Sequence, residues 1–279
     1  MKPVFGLAAA AAMLLAGPLG AEPWSLPRSD VQVVTAPDGH AYRLLVAWPE
    51  GKAPAEGWPV LWMLDGEDNF AIATMTARRL ARARARSGVE PGVIVAVESG
   101  PLPRRVLDYT PPTPGYAIPA GFPAHGMETG GGDAFLDLVD TQLRPLVSAR
   151  LPVDPFRQTL AGHSFGGLLA LHAMFAGRPY SRFVAVSPSL WFGEDMLKRR
   201  ERDADKDSAA SLLIVTSPDE AGPNAGTGSA AEALVARWKR RGNPARFLSM
   251  PGHGHGSTML AAMAATIVAA FGTDSSGKD

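Results

Sequence analysis

Short apolar runs of strand length recur along the chain, and longer amphipathic stretches separate them. Residues 58–64 and 92–98 are almost continuously apolar, which is typical of strands buried on both faces. Two alternating runs flank the turn sequence Asp38-Gly39 and predict a β-hairpin. Strands are therefore predicted at 31–35, 41–49, 58–64, 92–98, 158–161, 183–186, 212–216 and 246–250.

The stretches between these strands carry helical patterns. In 133–150, for example, the apolar side chains fall on one broad face of a helix. Alternating strands and helices predict a mostly parallel sheet that is covered by helices on both faces, and ligands of such sheets bind beyond the carboxyl ends of the strands. The predicted helices cover 70–85, 133–150, 166–176, 194–207, 229–241 and 257–271.

One long segment, 99–132, shows neither pattern. It contains seven prolines, and a loop of this length inside a compact domain is unusual and often functional. We interpret the segment as a lid or a substrate-binding insertion. It ends in Gly130-Gly131-Gly132, but the Gly-Lys-Ser/Thr of a phosphate-binding loop does not follow, so these glycines are interpreted as a hinge.

Composition narrows the class of protein. Of 279 residues 46% are hydrophobic, and with 30 Gly and 25 Pro this predicts one large α/β domain with long loops, covering 22–279. The formal net charge is +0, so no nucleic-acid partner is predicted, and the arginines of 78–86 are interpreted as a solvated helix face. The chain contains no cysteine, which excludes disulfides, a thiolate nucleophile and cysteine-bound metal.

The amino terminus has the pattern of a secretory signal peptide. Lys2 precedes the apolar run 4–15, and small residues then lead up to Glu22. Cleavage is predicted after Ala21, which leaves 1–21 as the signal peptide. The apolar run is too short to span a bilayer comfortably, so we expect an exported protein without stable membrane insertion.

The candidate chemistry centres on Gly162-His163-Ser164-Phe165-Gly166, a G-x-S-x-G motif between a predicted strand and a predicted helix. This is the setting of a nucleophile elbow, in which a strained turn lifts the serine hydroxyl clear and the glycines allow close approach of the neighbouring chain. Ser164 is therefore the candidate nucleophile. The N–H of Phe165 is a candidate donor to developing negative charge. The alternative is a tight strand-to-helix turn with a serine N-cap.

A serine nucleophile needs a base that takes its proton. His253 and His255 follow the last predicted strand, where this order of catalytic residues places the base. We favour His255 because it lies directly before the final helix; the alternative is that both histidines are loop residues without a role. His163 adjoins the nucleophile but is expected to point away from it.

The remaining site residues follow two other strands. Glu220 is favoured over Asp219 as the carboxylate that orients the imidazole, although a Ser–His dyad stays open. The N–H of Gly66 or Glu67, after the strand at 58–64, is the candidate second oxyanion donor. No H-E-x-x-H motif or convincing ligand cluster occurs, so neither a metal nor another cofactor is predicted.

Six segments carry a recognisable set of motifs, namely 64–67, Arg105-x-x-Asp108-Tyr109-Thr110-Pro111, 131–135, 162–167, 187–191 and 255–257. Together they resemble the esterase-D-like branch of the α/β-hydrolases, and within it the periplasmic esterases of catecholate siderophore trilactones. The resemblance covers about 25–271 and implies an α/β-hydrolase fold with the insertion at about 99–132.

The resemblance also implies residue roles. The matched Ser164 and His255 are expected to be catalytic, whereas some family members resemble dyads, which leaves Glu220 open. The matched Arg105 is expected to face the substrate. No cofactor is implied.

The implied substrate is an anionic ferric catecholate that carries flat aromatic rings. The guanidinium of Arg105 offers charge and a planar face to such a ligand, and the indole of Trp191 offers a stacking surface. The alternatives are an ion pair between Arg105 and Asp108, and core packing for Trp191.

The sequence thus predicts a periplasmic serine esterase that opens a ferric enterobactin-like trilactone and releases iron. One alternative is an exported feruloyl or acetyl-sugar esterase on the same fold. Another is a binding protein that has lost turnover. The sequence carries no readable signal of oligomeric state.

Overall fold

The computed structural model describes residues 23–204 and 209–273, and it contains one eight-stranded sheet within these residues. The predicted signal peptide 1–21 lies outside the described residues, as do residues 205–207 of the helix predicted at 194–207. The strands are β1 (Ser29–Thr35), β2 (Ala41–Ala47), β3 (Trp58–Met63), β4 (Val93–Val97), β5 (Val153–His163), β6 (Arg182–Val186), β7 (Ser211–Thr216) and β8 (Ala245–Ser249).

The sheet is mixed at one edge and parallel elsewhere. Its strand order is β1-β2-β4-β3-β5-β6-β7-β8. The predicted hairpin pairs β1 with β2 in antiparallel fashion, and β2 is also antiparallel to β4. All other neighbours are parallel, so the carboxyl ends of β3 to β8 meet at one edge of the sheet.

Helices cover both faces of the sheet. Along β3, Trp62 packs into one apolar cluster with residues of the helices at 102–109, 132–138 and 165–175. Leu61 and Met63 point to the other face and pack into a second cluster with residues of the helices at 66–82 and 255–271. This alternation explains why the central strands read as continuous apolar runs. The helices are α1 (Gly66–Arg82), α2 (Arg84–Ser87), α3 (Leu102–Tyr109), α4 (Gly132–Leu138), α5 (Arg144–Ser148), α6 (Phe165–Phe175), α7 (Met196–Asp203), α8 (Thr227–Arg240) and α9 (His255–Phe271).

The prediction that 99–132 lacks regular structure is wrong in part, because α3 lies within it. Proline is tolerated in the first turn of a helix, where its missing N–H has no intrahelical acceptor, and Pro103 occupies this turn. Val106 and Tyr109, one turn apart, are both fully buried and tie α3 to the core. The prolines therefore precede and follow a helix and do not exclude one.

Other helices differ from prediction in their bounds, and α1, for example, begins at Gly66 rather than at residue 70. A π-helical turn, Val139–Leu143, joins α4 to α5 within the helix predicted at 133–150. Helix α8 begins at Thr227, after Gly226 as N-cap, rather than at the predicted Ser229. Among the helices of the described residues, none combines the length and apolar character that crossing a membrane requires.

Candidate active site

Ser164 occupies the turn between β5 and α6, with φ 60 and ψ −119, a strained conformation for a residue with a side chain. The neighbouring glycines make this turn possible. A Cβ at Gly162 would lie 2.4 Å from the backbone of Gly166, and one at Gly167 would lie 3.1 Å from Pro188. The turn therefore has the close packing that the nucleophile elbow requires.

The structure brings the three predicted catalytic side chains into one hydrogen-bonded row. The Oγ of Ser164 lies 2.9 Å from Nε2 of His255, and Nδ1 of His255 lies 2.8 Å from Oε2 of Glu220. With an ionised Glu220, Nδ1 carries the proton and Nε2 is free to accept one from Ser164. This is the geometry of a nucleophile, a base and an orienting carboxylate.

Glu220 is fixed from both sides. Its Oε1 accepts hydrogen bonds from the hydroxyl of Ser187 at 2.5 Å and from the N–H of Ser217 at 3.0 Å. Burial alone would raise the pKa of Glu220, but hydrogen bonds from His255, Ser187 and Ser217 outweigh it and lower the pKa below its ordinary value. The carboxylate is therefore held ionised beside the imidazole.

Asp219 and His253, the alternatives to Glu220 and His255, do not take part in this row of hydrogen bonds. Asp219 accepts the N–H of Gly252 at 2.6 Å, on the exposed side of the turn. No hydrogen bond joins His253 to Ser164 or to Glu220 in the described part of the chain. The row of hydrogen bonds thus runs through His255 and Glu220.

His163 contradicts the expectation that it points away from the site. Its Nε2 donates to the backbone carbonyl of His255 at 2.8 Å, and the two imidazole centroids are 4.5 Å apart. Burial, followed by the charge of His255, lowers the pKa of His163 to about 4, so this ring is neutral near pH 7. The alternation of side chains along β5 predicts the position of His163, because His163 and Ala161 share the face of β5 on which α9 packs.

Asn224 is a second neighbour that the sequence did not reveal. Its Nδ2 lies 3.0 Å from Nδ1 and 3.3 Å from Nε2 of His255, so the amide faces the imidazole rather than one nitrogen alone. Its Oδ1 is buried without a hydrogen-bond partner in the described residues. The short 3₁₀ turn Gly222–Asn224, within a stretch that reads as a loop, places this amide, and no local pattern predicts the contact.

The low pKa of His163 makes a prediction about stability. In the unfolded chain this histidine has its ordinary pKa of about 6.5, whereas the folded protein resists protonation down to about 4. Unfolding therefore takes up a proton between these values, and stability falls as the pH falls from 6.5 towards 4. At full effect the loss is on the order of 3 kcal/mol.

His163→Gln removes this titration, so urea unfolding of the variant should depend less steeply on pH between 6.5 and 4 than unfolding of the wild type. The matched control is His253→Gln, because among the described contacts His253 forms neither the ring contact nor the hydrogen bond that His163 makes with His255. Identical pH slopes in the wild type and in His163→Gln would contradict the proposed neutral His163.

The candidate oxyanion donors lie at the beginnings of two helices. Gly66 and Glu67 begin α1, and Phe165 begins α6, after the neighbouring strands β3 and β5. The first N–H groups of a helix have no intrahelical acceptor and attract negative charge. A Cβ at Gly66 would lie 2.9 Å from the backbone of Val97, so glycine is needed for this close approach to β4.

Arg105 lines the cavity beside Ser164, but its guanidinium is already paired with other groups of the protein. It forms a two-pronged ion pair with the buried carboxylate of Asp65, and its Nη2 also donates to the carbonyl of His163 at 3.2 Å. The alternative pairing with Asp108 is wrong, because Asp108 binds Nε of Arg104 at 2.8 Å. Arg105 therefore ties the start of α1 to the elbow.

The cavity has two lobes that meet at Ser164. The larger lobe, about 730 Å³, includes Glu67 and Asp68 in its wall, and we call it the carboxylate lobe. The smaller lobe, about 240 Å³, includes Phe165 and Trp191, and we call it the tryptophan lobe. Within the described residues, no group of three or more His, Cys, Asp or Glu side chains could hold a metal ion.

Trp191 belongs both to this wall and to the packing behind it. Its ring centroid lies 5.0 Å from that of Phe122 and 5.6 Å from that of Phe165, in edge-to-face contacts. Its indole Nε1 is buried without a hydrogen-bond partner in the described residues. The indole is therefore available to a ligand only through part of its surface.

The sheet order, the elbow and the histidine at the start of the helix after the last strand are those of an α/β-hydrolase. The chain belongs to the Esterase family, described as "Putative esterase", whose model matches residues 36–256. The hydrogen-bonded row of Ser164, His255 and Glu220 lies within the residues that this family model matches.

Three similar proteins carry related names. A siderophore triacetylfusarinine C esterase of Aspergillus fumigatus is 40% identical over 184 residues, which are 61% of this chain and 59% of that protein. An apo-salmochelin esterase of Escherichia coli O6:H1 is 30% identical over 227 residues, covering 77% and 70% of the two chains. The structure of the enterobactin hydrolase IroE in complex with DFP superposes with a TM-score of 0.69 at 28% identity, covering 87% and 94%.

Proposed function

We propose that this protein is a serine esterase that hydrolyses the ester bonds of a siderophore and so releases its iron. The observation that carries the proposal is the hydrogen-bonded row from Ser164 through His255 to Glu220. The names of the three similar proteins support the substrate class. The match spans 59% of the Aspergillus relative, so the activity is proposed from the site as well as from the likeness.

The row of hydrogen bonds suits acyl transfer in two steps. His255 takes the proton of Ser164 as the hydroxyl attacks the ester carbonyl, and the N–H groups of Phe165 and of Gly66 or Glu67 stabilise the oxyanion. His255 then gives the proton to the departing alkoxide. Water then attacks the acyl carbonyl and gives a proton to the same imidazole. As the acid departs, the imidazolium returns this proton to Oγ of Ser164, so the enzyme regains its first state.

Glu220 takes no proton in this cycle. It fixes the tautomer of His255 and stabilises the imidazolium that forms in each step. Its two accepted hydrogen bonds from Ser187 and Ser217 keep it ionised and in place. The carboxylate therefore acts on the reaction through the base.

One candidate substrate is a ferric catecholate trilactone of the enterobactin type. Such a complex carries a charge of about minus three, which arginine can attract. Arg105 and Trp191 both lie in the wall of the tryptophan lobe and support this candidate. The apo-salmochelin esterase and IroE are named for substrates related to this class.

The charges around Ser164 favour a second candidate, a neutral ferric hydroxamate triester. Arg105 is neutralised by Asp65, while Glu67 and Asp68 add negative charge to the carboxylate lobe. A trianionic ligand would meet these carboxylates at close range, whereas a neutral complex would not. The relative from Aspergillus fumigatus is named for triacetylfusarinine C, a siderophore of the hydroxamate type.

Chromatography of the products separates the substrates. The protein is incubated with ferric enterobactin, with ferric triacetylfusarinine C and with methyl ferulate. We expect cleavage of at least one ferric triester with kcat/KM about 100-fold above that for methyl ferulate, which corresponds to roughly 2.7 kcal/mol in transition-state binding. Cleavage of methyl ferulate alone would favour the feruloyl esterase alternative, and no cleavage of any ester would favour a binding protein.

Arg105→Met tests how the arginine acts. Because Arg105 holds Asp65 and the carbonyl of His163, we expect kcat to fall by about 10- to 100-fold for a ferric triester and for p-nitrophenyl acetate alike. Steady-state kinetics with both substrates provide the measurement. A rise in KM confined to the anionic ferric catecholate would show instead that Arg105 contacts the substrate.

The matched control for this variant is Arg104→Met. Arg104 is the preceding residue of α3 and pairs with Asp108 and Asp38 away from the cavity. We expect this variant to lose thermal stability while kcat of the folded enzyme stays within about twofold.

We further propose that the chain is exported to the periplasm and that 1–21 is removed. The support is the charged start, the apolar run and the small residues before Glu22. Amino-terminal sequencing of the protein from a periplasmic extract tests this. Recovery only from the cytoplasm, with Met1 or Lys2 as the first residue, would contradict it.

A further inference from the structure

A second cavity lies at the opposite edge of the sheet from Ser164. It is lined by the second half of α1, by the chain that leaves β2 and by the chain that enters β4, it opens to solvent on one side, and its volume is about 170 Å³. Because β2 runs antiparallel to β4, the end of β2 and the start of β4 meet at this edge. The cavity shares none of its lining residues with the two lobes at Ser164.

Positive charge surrounds this cavity. Arg28, Arg78 and Arg82 all line it, while Glu50 is the one acidic residue in its wall and lies 3.7 Å from Arg28. Both of these paired side chains are exposed to solvent, so their attraction is weak. The wall therefore has an excess of positive charge.

Arg78 is the least exposed of the three arginines. Its Nη2 donates to backbone carbonyls, those of Pro27 at 2.6 Å and of Arg28 at 3.2 Å, which fixes the guanidinium in the wall. Burial, followed by the charges of Arg28 and Arg82, lowers the pKa of Arg78. A bound anion would offset both effects.

Thr74 supplies an independent sign of a polar ligand. This residue of α1 lines the cavity and is 1% exposed, and its hydroxyl oxygen has no hydrogen-bond partner in the described residues. A buried hydroxyl without a hydrogen-bond partner destabilises the fold. A carboxylate at this place would accept its hydrogen bond.

The rest of the wall is apolar. Trp48, Pro49, Pro91 and Ile94 line it together with small side chains of α1. A cavity of roughly 150 Å³ with apolar walls accommodates one benzene ring, so the volume here suits a single aromatic ring. The wall thus offers apolar surface for a ring and positive charge for an anionic group.

We infer that this cavity binds a small aromatic carboxylate, with the ring against Trp48 and Ile94 and the carboxylate between Arg78 and the hydroxyl of Thr74. This inference does not rest on the proposed esterase function. It assigns a ligand class to a site that lies apart from the nucleophile.

Titration calorimetry of the full protein with benzoate tests the inference. Benzyl alcohol supplies the ring without the charge, acetate supplies the charge without the ring, and inorganic phosphate supplies a different anion. We expect benzoate to bind with Kd below about 1 mM and each of the other probes to bind at least tenfold more weakly. Absence of benzoate binding, or phosphate binding as tight as that of benzoate, would overturn the inference.

Variants locate the binding. Arg82→Met removes an exposed arginine and Thr74→Val removes the hydroxyl, and each should weaken benzoate binding by at least about threefold. Arg79→Met, an exposed arginine of the same helix outside the cavity, is the matched control and should leave Kd unchanged. Equal Kd values for all three variants and the wild type would reject this site.

A final arm separates this site from the esterase cavity. Protein that has first been treated with DFP should bind benzoate as tightly as untreated protein, because the lining of the second cavity excludes Ser164. Loss of benzoate binding after this treatment would place the ligand beside Ser164 and overturn the inference.

Discussion

Ser164→Ala is expected to lower kcat for ester hydrolysis by on the order of 10⁵-fold or more, because no other group replaces the attacking hydroxyl. The strained φ of 60 at this position is equally open to serine and alanine, so the fold should persist. Steady-state kinetics with p-nitrophenyl acetate and a ferric triester, with circular dichroism as a check of folding, provide the measurement.

The matched control is Ser257→Ala. Ser257 lies in the first turn of α9 near the base, and its hydroxyl donates to the carbonyl of Gly254 on the exposed side. We expect its kcat to stay within about twofold of the wild type. Retention of more than about 1% of wild-type kcat in Ser164→Ala would show that Ser164 is not the nucleophile.

Glu220→Gln is the second large effect that we expect, with kcat lower by about 10²- to 10⁴-fold. An amide in place of the carboxylate no longer stabilises the imidazolium, and its NH₂ group can point at Nδ1 of His255 and favour the wrong tautomer. The variant also weakens the hydrogen bonds from Ser187 and Ser217, so its melting temperature should fall.

Asp219→Asn is the matched control, because Asp219 is the neighbouring residue and its carboxylate accepts only the N–H of Gly252 among the described hydrogen bonds. Its kcat should stay within about threefold of the wild type. If the two variants lost activity equally, activity would depend on the structure of the whole turn rather than on the Glu220–His255 contact. If Glu220→Gln kept full activity, a Ser–His dyad would be the better description.

Much of the fold can be predicted from local patterns. Strands β3 and β4 are buried on both faces, so every residue is apolar and the run stands out in the sequence. Helix α3 could not be predicted in this way, since its prolines resemble those of a loop, and its stability comes from tertiary burial of Val106 and Tyr109. Local propensity carries no information about that burial.

The candidate site, like the fold, can be predicted from the sequence only in part. Ser164, Glu220 and His255 each follow a strand, and parallel strands end at one edge, so the sequence alone predicts their proximity. The contacts of His163 and Asn224 depend on side-chain directions and on the path of loops. Alternation along β5 indicates the face on which His163 lies, whereas no local pattern indicates the contact of Asn224.

Arg105 shows a further limit of sequence reasoning. Arg104 and Arg105 are adjacent on one helix, and either could pair with Asp108 by sequence distance. Only the orientation of α3 decides that Arg104 reaches Asp108 and that Arg105 reaches Asp65. A helix turns by about 100° per residue, so adjacent side chains face different surroundings.

The most direct test of the central claim is titration of the protein with DFP, with the adduct mapped by peptide mass spectrometry and hydrolysis of a ferric siderophore triester measured on the same samples. The account predicts one adduct, on Ser164, and loss of hydrolysis in proportion to its formation. Full hydrolysis by protein in which Ser164 is completely modified would contradict the account.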